Sequence, residues 1–202
     1  TFEDVPGAPF AYWVSDRVRK LFRTLPPFQS NGRKAQQGLS TKHDFRFVRC
    51  WWEVDSRRTS PSEPHSGSRG QRYCVPHYHW FLFAKGGAFS PFYAGLHLVV
   101  NWRREGYEIE ADALRKYPYL DGDANWVLHR ECDYYQPGLS FSRRARRFSP
   151  KPVPAGVVFS DTSQMLFTKS TDLGWVSAYL SSNIMRSILG LMAPPRKNEI
   201  GY

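Results

Sequence analysis

The sequence predicts an α+β domain: a mixed, mostly antiparallel twisted sheet with irregular loops and packing helices near both ends. Three observations predict it. Sustained helical spacing of apolar residues occurs near the two ends of the chain. Short runs dense in aromatic and β-branched residues occupy the middle. Stretches of Gly, Pro, Ser and Asp join those runs. With 202 residues, 41% of them apolar, the chain can bury a core of its own, and we read it as a single domain over 1–202.

The elements follow in order. From Ala8 to Phe22, Phe10, Trp13, Val14, Val18, Leu21 and Phe22 recur at helical spacing, Pro9 suits a first turn, and Pro26-Pro27 ends the helix. Its cations take the other positions, and we read it as a docking helix. Gly32 to Thr41 is rich in short hydrogen-bonding side chains around one flexible glycine. Phe45 to Val54 predicts a strand, since it is dense in aromatic and β-branched residues. Asp55 to Gln71 lacks periodicity and is expected to be a long mobile loop. Strands follow at Tyr78–Phe83 and Leu96–Trp102, and a short helix at Ile109–Tyr117 with a turn after it. Further strands are expected at Trp126–His129 and Leu139–Ser142. Val157–Ser160 and Met165–Phe167 predict a hairpin turning at Asp161-Thr162. Asp172 is placed to cap a last helix carrying Trp175, Tyr179, Leu180, Ile184, Ile188 and Leu191, stopped by Pro194-Pro195.

Charge narrows the function. A formal net charge of +10 raises the local concentration of polyanions, so nucleic acid is the first candidate partner. No run approaches the roughly 20 apolar residues that span a bilayer, and neither a signal peptide nor a basic amphipathic stretch is evident, so no membrane partner is expected. Cys50, Cys74 and Cys132 are odd in number and form no CxxC pair, which fits a reducing cytoplasm better than a disulfide framework. Cys74, His77 and His79, with Cys50, match no standard zinc spacing, so no metal is assigned.

The densest basic feature is the run from Arg143 to Arg147, in which Arg143, Arg144, Arg146 and Arg147 are arginines. Guanidinium forks suit phosphate oxygens and the O6/N7 edge of guanine. Leu139 and Phe141 alternate with Ser140 and Ser142. The run therefore reads as a half-buried strand entering a basic loop that faces nucleic acid, or as a solvated charge run on an ordinary surface. Lys85-Gly86-Gly87 offers backbone N–H groups to a phosphate, or is a plain turn; the P-loop spacing is absent. Gln37, Thr41, Lys42 and Arg46 form a third group of donors. With 7 Trp, 11 Tyr and 14 Phe, the chain has aromatic rings to spare for stacking on bases, Trp51, Trp52, Tyr134 and Tyr135 among them.

Enzyme motifs are missing: there is no GxSxG, HExxH or Gly-rich dinucleotide turn. Glu108, Glu110 and Asp112, or Asp121 and Asp123, suit a cation as in a nuclease, or are solvated surface acids. Leu25-Pro26-Pro27-Phe28 has the tail of the adenine-methyltransferase motif, but leucine cannot accept a hydrogen bond from the target amine.

Several blocks together resemble the target-recognition region of PglX-type adenine-specific DNA methyltransferases of BREX phage defence and of related type IIG restriction–methylation proteins. They are residues 9–15, 37–41 and 46–54, then Ala84-Lys85-Gly86-Gly87-Ala88-Phe89-Ser90-Pro91-Phe92-Tyr93 with Val99-Val100-Asn101-Trp102. Residues 135–143, Phe148-Ser149 and Gly156-Val157-Val158-Phe159-Ser160 complete the set. The resemblance implies binding of double-stranded DNA at a specific sequence. It implies no reaction in this chain, because the catalytic methyltransferase domain and its Asn-Pro-Pro-Tyr are absent from it. No cofactor is expected here; S-adenosylmethionine would bind that missing domain, the chain's expected partner in one longer protein. Single-strand or RNA binding and a metal-dependent nuclease are the alternative functions.

Overall fold

The computed structural model describes residues 5, 14–60, 78–143, 145 and 147–192. It is an α+β structure built on two four-stranded sheets. The elements are α1 (Asp16–Thr24), β1 (Lys34–Gln36), α2 (Asp44–Phe47), β2 (Val48–Cys50), β3 (Trp80–Ala84), β4 (Leu98–Asn101), α3 (Tyr107–Lys116), α4 (Asn125–Leu128), β5 (Gly138–Ser142), β6 (Lys151–Val153), β7 (Val158–Phe159), β8 (Ser163–Phe167), α5 (Leu173–Ser181) and α6 (Asn183–Met192).

One sheet has the order β1-β8-β5-β6 and is antiparallel throughout. The other has the order β2-β4-β3-β7, with β3 and β7 parallel. Strand alternation sends β8 into two cores. Met165 and Phe167 join the large core with Phe81, Phe83, Val100, Ile109 and Phe159, whereas Leu166 turns to the other face. There Leu166, Leu139 and Phe148 meet Val176 and Leu180 of α5. The first sheet is therefore covered on both faces, and α5 holds down β5, the strand that delivers the basic run.

Several expectations need correction. Phe45 to Val54 is not one strand. Phe47 is buried while Phe45, Trp51 and Trp52 are exposed, a pattern no two-residue period gives. The segment is the single turn of α2, then β2, then a 3-10 turn over Trp51–Glu53. The Glu53 carboxylate accepts the Cys50 N–H at 2.7 Å and bends the chain out of the strand. Trp126 to His129 is likewise helical. Asp123 accepts the Asn125 N–H at 2.7 Å to start α4, and His129, at φ 46°, ends it. Val127 and Leu128 are adjacent and both buried, which one face of a helical turn allows and a half-buried strand does not.

The hairpin predicted across Asp161-Thr162 is instead a crossing between sheets: β7 pairs with β3, and β8 with β5 and β1. Ser160 Oγ accepts the N–H groups of Thr162 and Ser163, at 3.2 and 3.1 Å, and sets that turn. The last helix is two helices. Ser182 is extended at ψ 159°, and its Oγ accepts the Met185 N–H at 3.2 Å to begin α6. Asp172 stands at the start of α5 but makes no side-chain cap. The loop expected from Asp55 is built at its start, with a 3-10 turn over Ser56–Arg58 and a bridge from Thr59 to Trp80; the remainder of Asp55–Gln71 from residue 61 lies outside the described residues. So do residues 8–13 of the predicted first helix and Pro194-Pro195; the described helix begins after the Ser15 cap and runs to Thr24. Lys34–Gln36 was not foreseen as a strand, because it carries no alternating apolar residues.

Candidate nucleic-acid interface

Three passes of chain run side by side in the same direction. β3 and β7 are parallel, and Leu39 bridges Ser160 in parallel. The Leu39 N–H donates to the Phe159 carbonyl at 3.0 Å, and the Asp161 N–H donates to the Leu39 carbonyl at 2.9 Å. Gly38 is required for this approach: a Cβ there would stand 2.0 Å from the Phe159 carbonyl oxygen. The glycine expected to be flexible is thus a packing glycine. Because the passes are parallel, their forward ends emerge together, bringing Thr41-Lys42, Lys85-Gly86-Gly87 and Asp161-Thr162 to one corner. Thr41, Lys42, Asp44, Lys85, Asp161 and Thr162 line an open pocket of about 280 Å³ there.

The end of β5 reaches the same corner from the other sheet. Thr162 joins the two. Its carbonyl accepts the Arg143 N–H at 3.0 Å, and its Oγ1 accepts the Gly86 N–H at 3.3 Å. Ser142 Oγ accepts the Gly87 N–H at 3.4 Å. Farther along, Ser149 Oγ donates to the Ser90 carbonyl. The basic run is therefore stitched at both ends to the loop that follows β3, and the two strongest sequence candidates share one surface. Arg143 is half-buried and Arg147 is exposed. Arg144 and Arg146 lie outside the described residues. Lys85, Ser140, Ser142 and Lys151 are among the residues lining a pocket of about 50 Å³. Lys151 was not singled out in the sequence; burial pushes its ammonium pKa down.

Several predicted site residues are engaged within the protein. The Gly86 and Gly87 N–H groups are turned to Thr162 and Ser142, so the turn is an internal brace and not an open cradle for phosphate. Ser140 is buried and hydrogen-bonded to Ser163. Lys85 Nζ pairs with Asp44, whose other oxygen accepts from Thr41 Oγ1. Burial opposes ionisation of Asp44, but the Lys85 and Thr41 hydrogen bonds and the Lys85 charge outweigh it, so its pKa is lowered. Lys42 lies over the Trp126 ring, 4.4 Å from its centroid. Gln37 is exposed, and its carbonyl accepts from the Cys132 thiol at 3.1 Å. Arg46 turns to Asp112 at 2.7 Å, on the α3 side, away from Lys85 in its contacts.

The acidic candidates of α3 are also occupied. Asp112 is buried and bridges Arg46 and Arg115, both at 2.7 Å. Glu110 takes both terminal nitrogens of Arg130, at 2.9 and 2.8 Å. Glu108 accepts from Asn101 at 3.1 Å. Among the described residues no group of three or more His, Cys, Asp and Glu is placed to hold a metal ion; Cys74 and His77 are not described. Tyr134, expected as a stacking platform, is buried, with its hydroxyl donated to the Leu128 carbonyl at 2.6 Å. Trp51 and Trp52 are exposed and packed edge to face. Among the described residues no helix is long and apolar enough to cross a membrane.

The proteins this chain is similar to are adenine-specific methyltransferases, and the similarity runs over most of its length. The adenine-specific methyltransferase PglX of Lacticaseibacillus casei (strain Zhang) is 28% identical over 203 residues, covering 99% of this chain and 16% of that protein. The adenine-specific methyltransferase BrxX of Escherichia coli O9:H4 (strain HS) is 27% identical over 173 residues, covering 85% of this chain and 12% of that protein. The chain thus corresponds to a minor part of each relative. No family model matches it.

Proposed function

We propose that this chain is the target-recognition part of an adenine-specific DNA methyltransferase in a phage-defence or restriction system, and that it grips double-stranded DNA through the corner around Thr162. One observation carries the reading: the Lys85 turn and the strand end at Ser142-Arg143, which are 55 or more residues apart, are tied directly to each other. A solvated charge run needs no such bracing. The Lys42, Lys85, Arg143, Arg147 and Lys151 side chains supply cations for phosphate oxygens, with Arg143 and Arg147 also able to read guanine edges. Arg46 and Ser140 are assigned to the scaffold by their contacts. Methyl transfer and S-adenosylmethionine binding are assigned to another part of the parent protein, in the cytoplasm where its DNA lies. The similarity to two methyltransferases supports this division, since the chain matches only a fraction of each.

Fluorescence anisotropy with labelled duplex DNA, single-stranded DNA and RNA as competitors tests the reading. Duplex should bind, with log K falling linearly against log salt, and duplex should compete best. Preferential competition by single strands would replace it with a stacking module centred on Trp51 and Trp52.

A further inference from the structure

The loop between β3 and β4 presents aromatic rings to solvent beside the cations. Phe89 is 44% exposed, Phe92 70% and Tyr93 69%. These rings sit on a braced loop. Gly87 is tied to Ser142, and Ser90 accepts from Ser149 on the far side of the basic run. Ser90 Oγ also donates to the Tyr93 carbonyl, and the Tyr93 N–H donates to the Pro91 carbonyl at 2.8 Å. Phe92 is held at φ 69°, a backbone conformation that bulky side chains rarely adopt. The chain thus fixes apolar rings outward at the point where its basic run is anchored.

Water is a poor neighbour for three such rings, so the surface calls for a partner. Its chemistry follows from what surrounds the loop. A partner that is apolar in the middle and anionic at its edges matches exposed rings on a loop tied to Ser142 and Ser149, the two residues that bracket the basic run. A base stack between its two phosphate rows has that arrangement. The net charge of +10 favours it over another basic protein surface.

We propose that Phe89 and Phe92 form a wedge that enters the base stack of bound duplex DNA, opening one base step while the neighbouring cations hold the backbone. This rests on the DNA-binding reading above and adds a local distortion to it. Such a wedge would exchange ring–water contact for ring–base contact, and the opened step would favour sequences that unstack easily.

The test uses the full 202-residue chain and short duplexes carrying 2-aminopurine at successive positions, a base whose fluorescence rises when it is unstacked. The parent should raise the signal at one or two adjacent positions. Phe89→Ala with Phe92→Ala should lose that rise and bind roughly tenfold more weakly, yet keep the parent's salt slope, because no cation is removed. Both residues are exposed, and circular dichroism verifies that the variant is folded. Binding by the parent without a rise at any position, or an equal rise with the double variant, would overturn the wedge and leave DNA binding standing. Absence of any duplex binding by the parent would remove DNA recognition itself, and the wedge with it.

Discussion

Gly86 and Gly87 are neighbours in sequence and differ in what they tolerate. A Cβ on Gly86 would stand 2.5 Å from the Thr162 carbonyl oxygen, whereas one on Gly87 would meet nothing within 4 Å. The first glycine is needed because two chain segments touch, and neither residue has a positive φ. Gly86→Ala should therefore destabilise the protein by about 1–3 kcal/mol, as overpacking does, and Gly87→Ala by much less. Urea denaturation of the two variants checks this; equal midpoints would show that the Lys85 turn is not held against Thr162. The Gly-Gly pair was legible in the sequence, but its use was not: the residue pressed against Gly86 lies 76 positions away. Thr162 was read only as part of a turn. Its neighbours Ser160 and Ser163 gave a local signal, a cluster of hydroxyls between two apolar runs, and that signal marks a braced turn as readily as a hairpin.

Among the elements, α2 and α3 are joined by Asp112. Burial alone would raise the pKa of this carboxyl. The hydrogen bond from Arg115 and the charges of Arg46, Arg115 and His43 outweigh burial and hold it below the ordinary carboxylate range. A carboxyl depressed in the folded state contributes stability that is present above its unfolded pKa, near about 4, and lost as pH falls through the folded value. Stability should thus decline in acid below about pH 4, and Asp112→Asn should be less stable at neutral pH with a shallower acid decline. Denaturant midpoints measured across pH give the comparison; parallel curves for parent and variant would exclude Asp112 as a contributor. The break between α5 and α6 is a second element-scale device. Ser182→Ala removes the Oγ that caps α6 and should cost about 1 kcal/mol by the same measurement; an unchanged midpoint would mean that packing alone sets the break. The serine pair before Asn183 carried that signal in the sequence, and the continuous apolar period concealed it. Short elements were misread for a related reason. In α2 and α4 a single turn buries only one or two residues, too few for a period to emerge.

At the scale of the whole molecule, the class of fold was legible because alternation, aromatic content and terminal amphipathic patterns are properties of long stretches. That the strands divide into two sheets was not, since β7 and β8 differ by only a few residues in sequence yet pair with different partners. The basic candidates were legible as residue types. Which of them share a surface depended on three parallel chain passes ending together, and Arg46 is instead bound to Asp112 of α3. The charge of +10 is thus not spread evenly in function: part stabilises the scaffold, and part faces outward beside exposed rings.

The most direct measurement is the salt dependence of duplex binding for the parent and for Arg143→Ala with Arg147→Ala. If these arginines neutralise phosphates at the shared corner, the double variant stays folded, binds every duplex more weakly, and its log K against log salt flattens by about two units. A folded double variant with the parent's affinity and slope would contradict the assignment of this corner to DNA.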